Sequence, residues 1–175
     1  LLSQWAGFAF AGDSCRVQMP QSLETAIAKK FPAYRLPLET DNLAEDVAYD
    51  RKQGGKGCLG VATADFDGSR TKDYLLGLTS KNGPSGLAVV ALSTKSGWRF
   101  HTISSETEDN RSRLYVVATK PGRYAWSEAM EWTGEGVRPG AMKCPHWGAM
   151  VGATESTGFV YCYMKGKWSS VQASD

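Results

Sequence analysis

The chain has 175 residues, 42% of them hydrophobic, so one domain with an ordinary core is within reach. Its 20 Lys and Arg against 18 Asp and Glu leave a formal net charge of +2, a balance that gives no argument for nucleic acid or for a membrane surface as partner. No apolar run reaches the ~18 residues that a membrane-spanning helix needs.

In chain order, residues 1–11 carry no charge and end in Ala9-Phe10-Ala11, a small-x-small triplet of the kind signal peptidase reads. Residues 1–19 therefore read as an amino-terminal segment derived from an export signal or, equally, as a mature amino-terminal helix or strand, and residues 1–175 as a single domain. Ser22 is a good N-cap for a first helix over Leu23 to Phe31. There Leu23, Ala26, Ile27 and Phe31 share one face, and Pro32 prevents continuation. Tyr34 to Leu38 is extended. Asp41 and Asn42 cap a second helix over Leu43 to Gln53, with Leu43 and Val47 as its apolar stripe and Gly54-Gly55 beyond its end. Its acids Glu45, Asp46 and Asp50 read as a solvated face.

Strands follow. Leu87 to Leu92 is apolar throughout and suits a central buried strand. Gly97 to Thr102 alternates beside it, and Leu114 to Thr119 is stopped by Pro121-Gly122. Ala149 to Ala153, Phe159 to Met164 and Lys167 to Gln172 alternate again, with Lys165-Gly166 as a hairpin turn. The expected fold class is α+β, mainly antiparallel β, with about six to eight strands in a meander and two short helices at one side.

Before these strands lies the most distinctive stretch, Asp65-Phe-Asp-Gly-Ser-Arg-Thr-Lys-Asp73, between the apolar runs Gly60 to Ala64 and Tyr74 to Leu78. Asp65, Asp67, Ser69 and Asp73 stand at loop positions one, three, five and nine, and the Thr71 carbonyl suits position seven. Alternating oxygens let a short loop wrap one hard cation, because Ca2+ takes several oxygens at ~2.3–2.6 Å. The plain alternative is a turn with Asp67-Gly68 as its bend. The loop resembles the calcium loops of FG-GAP repeats in integrin-type propeller blades. The stretch from about Phe31 to Thr79 is similar to small bacterial periplasmic proteins, including inhibitors of cell-wall hydrolases. Ser69 stands where that pattern has Asp, and Arg70 where it has Gly. With one such loop the chain cannot be a full propeller. The resemblance implies a propeller-blade-like meander, a bound Ca2+ and a periplasmic location.

Cys15, Cys58, Cys144 and Cys162 allow three pairings if all are oxidised. The local pair Cys144–Cys162 is favoured, with Cys15–Cys58 tying the amino terminus to the core. No Cys-x-x-Cys pair, Gly-x-Ser-x-Gly elbow or His-Glu-x-x-His motif is present. His101 reads as structural. His146, two residues from Cys144, carries a second alternative, a hydrolase, and no catalytic residue is assigned. Residues 123–148 lack periodicity and carry Tyr124, Trp126, Trp132, Arg138, His146 and Trp147, residue types that anchor interfaces. These six are the expected partner-binding surface; the alternative is that the tryptophans pack into the core and the segment holds two short strands. Together the features predict a non-enzymatic periplasmic or secreted binding protein, an inhibitor or immunity protein blocking a secreted peptidoglycan hydrolase. The alternative is an envelope domain with a structural Ca2+ loop and a partner of another kind.

Overall fold

The computed structural model describes residues 12–83, 85–106, 114–125, 141–153 and 158–174. Trp126, Trp132 and Arg138 lie outside these residues, as do residues 1–11 of the amino-terminal segment. The architecture is mainly antiparallel β with two helices, α1 (Gln21–Lys30) and α2 (Ala44–Lys52). Among the described residues there are eleven strands. Four of them, β1 (Tyr34–Arg35), β2 (Val61–Ala64), β7 (Gly122–Tyr124) and β8 (Met142–Cys144), have two to four residues, too few to show a period of two.

One sheet runs β1-β3-β4-β5, with β2 also paired to β3; the long strands are β3 (Asp73–Ser80), β4 (Gly86–Thr94) and β5 (Gly97–Glu106). The other runs β11-β10-β9-β6, made of β6 (Leu114–Thr119), β9 (Gly148–Ala153), β10 (Gly158–Met164) and β11 (Lys167–Ser174). All pairings are antiparallel. The second sheet takes β6 from earlier in the chain and is stacked on the first, so the molecule is not one isolated propeller blade.

The alternation along β4 explains the stacking. Leu87, Val89 and Ala91 face a core under α1 that includes Leu23, Ile27, Leu76 and Leu78. Ala88, Val90 and Leu92 face the other way, onto Val116, Ala149 and Val151 of the second sheet. A strand covered on both faces loses the polar half of its pattern, which is why Leu87 to Leu92 is apolar throughout. The far face of the second sheet is covered by the β7–β8 ribbon around Cys144, Val160, Cys162 and Val171. At one edge the two sheets are tied by the backbone, where the Val116 N–H donates to the Leu59 carbonyl at 2.8 Å.

Both helix starts differ from the expectation. Pro20 occupies the N-cap of α1, so Ser22 lies inside the helix, where its hydroxyl accepts from Trp98 Nε1 at 3.4 Å. Pro20 fits because the first helical N–H groups have no intrahelical acceptor. Leu43, expected on the stripe of α2, is its N-cap and 37% exposed; Val47 alone is buried on that helix. Asp41 caps nothing on α2. It accepts from the Arg35 guanidinium, from the Leu38 N–H and from the Thr79 hydroxyl. Burial works to raise its carboxyl, but these partners outweigh it and hold the group below the usual carboxylate range.

Cys15 pairs with Cys58, and Cys144 with Cys162. No free cysteine remains. Disulfides persist in oxidising compartments, so the chain fits an extracytoplasmic location. No helix among the described residues is long and apolar enough to cross a membrane.

Candidate metal centre

The loop between β2 and β3 is held at its base by the pair Ala64↔Asp73 and spans residues 65–72. Two residues carry its bend in the left-handed region, Gly68 at φ 78° and Arg70 at φ 65°. Glycine suits the first. The second is a conformation that a side chain with a Cβ adopts only at a cost, so Arg70, where the resembled pattern has Gly, is the strained position.

Side-chain oxygens close the loop on itself. Asp65 Oδ2 accepts the Arg70 N–H at 2.9 Å, and Asp67 Oδ1 accepts the Ser69 N–H at 3.0 Å. The Ser69 and Thr71 hydroxyls are 2.6 Å apart, and Thr71 Oγ1 lies 3.5 Å from Asp73 Oδ1. Asp73 is fully buried at the start of β3. Its Oδ2 accepts the Phe66 N–H at 3.0 Å and its Oδ1 the Ser93 N–H of β4 at 2.8 Å. Asp73 thus joins the loop to the next hairpin. Burial pushes its carboxyl above the usual range. The two N–H donors oppose that rise, and the charges of Asp67 and Asp65 add to it.

One oxygen each of Asp65, Asp67 and Asp73 lies within 4.8 Å of the others. Two oxygens bound to one Ca2+ at ~2.4 Å can stand at most about 4.8 Å apart, so the trio is close enough to share an ion. Asp65 Oδ1 is buried without a hydrogen-bond partner, an acceptor that a cation would satisfy. The donor set fits a hard, oxygen-seeking cation. Asp65, Asp67 and Asp73 would supply charge, while the Ser69 and Thr71 hydroxyls lie on the exposed side of the loop.

Two neighbours of the loop were not legible in the sequence. Arg99 on β5 places Nη2 3.6 Å from Asp67 Oδ2 and offsets part of the acidic charge. His146 covers the bend: a Cβ built on Gly68 would stand 2.2 Å from His146 Cε1. Gly68 is therefore required twice, for its φ and for the imidazole above it. Gly68→Ala is expected to cost about 1–3 kcal/mol, measured by urea unfolding, whereas Gly83→Ala, with nothing within 4 Å of its added Cβ, is expected to cost less.

The expected partner-binding residues divide. His146 lies on the loop. Trp147, partly buried, packs against the core between the sheets, and Tyr124 against the Cys144–Cys162 core, its hydroxyl donating to the Lys120 carbonyl. His101 is held among Tyr163 and Trp168, with ring centroids 5.8 and 6.2 Å away. Burial, then the Arg99 charge, lowers its pKa against the opposing pull of Asp67, which favours a neutral ring. Cys144 is in a disulfide and cannot serve as a thiolate nucleophile beside His146. No protein-family model matches this chain, and neither a curated protein nor a solved structure shows significant similarity to it.

Proposed function

We propose that the protein is a non-enzymatic, periplasmic binding protein whose Asp65–Asp73 loop takes Ca2+ and whose partner is a secreted peptidoglycan hydrolase, met through the surface that begins at His146. The observation that carries this reading is the His146 ring lying on Gly68. A cation drawing Asp65, Asp67 and Asp73 together would stiffen the loop under that ring. Loop order and surface shape would then be coupled, and inhibition would follow from filling the hydrolase's cleft. The Cys144–Cys162 disulfide anchors the same turn and lowers the entropy lost when a partner fixes it.

A second reading, an envelope domain with a purely structural cation, is favoured by Asp73, whose two oxygens already serve the backbone of the core. One pair of experiments separates them. Ca2+ at about a hundred times its Kd is expected to stabilise the fold by roughly 2.7 kcal/mol, and Asp65→Asn to abolish the shift. Unchanged melting at millimolar Ca2+ would end both cation readings. The tagged protein is then used to capture partners from its native envelope extract, with Ca2+ and with chelator. A peptidoglycan hydrolase recovered in near-equal amount, and lost with chelator, supports the inhibitor. A calcium-dependent melting shift with no hydrolase recovered leaves the structural domain.

A further inference from the structure

The cation loop lies at one side of the fold. Elsewhere a cavity of about 420 Å³ runs between α1 and the edge strand β1. Its volume is in the range of ligand pockets. Gln21, Thr25 and Ala28 line one wall at the i, i+4, i+7 spacing of a single helix flank. Tyr34 and Leu36 line the other, and Ile27 lies between.

The register of β1 decides what its edge offers. β1 pairs with β3 as Tyr34↔Ser80 and Arg35↔Thr79, and the Lys81 N–H donates to the Ala33 carbonyl at 3.0 Å. In an antiparallel ladder hydrogen-bonded pairs alternate with non-bonded ones. Ala33 and Arg35 are therefore turned to β3, and the Tyr34 carbonyl and Leu36 N–H are turned away from it. That acceptor and donor are spaced to take both backbone bonds of one residue in an added strand.

Charge at the rim selects the side chain. Among the described residues, Arg16, Arg35 and Lys81 line the cavity against the single acid Glu24. Arg35 is committed to Asp41, and Arg16 Nη1 lies 3.4 Å from Glu24. Lys81 Nζ donates to the Pro32 carbonyl at 2.8 Å, and no carboxylate lies in ion-pair range of it among the described residues. Its positive charge is unbalanced at the cavity mouth.

We propose that this groove receives an extended, acidic peptide segment of a partner protein, added as a strand to the outer edge of β1, with a carboxylate side chain drawn to Lys81. The assignment does not depend on the cation loop. A phage library of random octapeptides, panned in chelator on the whole chain and in parallel on Ala28→Arg, provides the probe. Ala28 is exposed on α1, so the substitution fills the groove from a position that tolerates it, and equal melting temperatures check this. The expected result is enrichment of Asp- or Glu-containing clones on the native chain only. The most enriched peptide, followed by fluorescence anisotropy, should bind at least about tenfold more weakly to Lys81→Glu and, after N-methylation of its central residue, to the native chain. Equal enrichment on Ala28→Arg, or none, overturns the groove. Indifference to N-methylation overturns strand addition, enrichment of basic or uncharged clones overturns the acidic partner, and a dimer in sedimentation that Ala28→Arg dissociates assigns the groove to a second copy.

Discussion

Asp73→Ala is expected to destabilise the fold by about 4 kcal/mol in chelator, more than any other single substitution in the loop. The side chain is fully buried and accepts two backbone N–H groups, one from Phe66 and one from Ser93. Each donor left without an acceptor costs about 1–3 kcal/mol, and the truncated side chain adds a void. Asp73→Asn is expected to fall between Ala and the native residue, because its amide keeps one acceptor and turns an N–H2 toward the other donor. Urea unfolding in chelator and in Ca2+ gives both values. If Asp73→Ala costs less than about 1 kcal/mol in chelator, the hydrogen bonds are not what positions the loop.

The same residue sets a pH dependence with a definite sign. Its folded-state pKa is raised above the unfolded value, so between the two the native state holds more protons. Its contribution therefore decreases as pH rises from the ordinary carboxylate value through the raised one, and is constant above. Asp41 has the opposite sign: its folded pKa is depressed, and its contribution is lost as pH falls. Carboxyl NMR titration separates the two. Ca2+ should draw the Asp73 titration downward, since a bound cation favours the ionised form.

What the sequence disclosed follows from the range of each signal. The strand at Leu114 to Thr119 was legible to the residue because alternation is local and Pro121 marks its end. The oxygens at alternate loop positions were legible for the same reason, and Asp65, Asp67 and Asp73 do converge. The pairing of the four cysteines also agreed. Arg99 beside Asp67 and His146 above Gly68 were not legible, because strand register brings them in from distant parts of the chain. A backbone N–H leaves no trace in composition, so the attachment of Asp73 to Ser93 was equally hidden. Stacking of two sheets had one local sign, the uninterrupted apolar run of β4, which a central strand of a single meander shows as well.

Removing the Cys15–Cys58 bond, as the paired Ser variant, is expected to cost about 4 kcal/mol, the entropy of closing its 43-residue loop in the unfolded chain. Cys144–Cys162 closes 18 residues and should cost about 3 kcal/mol. The first bond also fastens the segment ahead of α1, where Cys15 and Met19 are buried in the core while Val17 between them is 72% exposed. Asp13 supplements it by accepting the Cys15 N–H at 3.0 Å and the Glu39 N–H at 3.0 Å. Loss of the first bond should therefore free residues 12–19 in hydrogen exchange at a denaturant concentration where β3 and β4 remain protected. Loss of the second should instead loosen β7–β8 and the turn carrying His146, and weaken Ca2+ binding if that turn supports the loop. If both variants lose protection everywhere at once, the sheets and their attachments unfold as one unit, and the disulfides stabilise the whole chain through its unfolded state rather than these two segments.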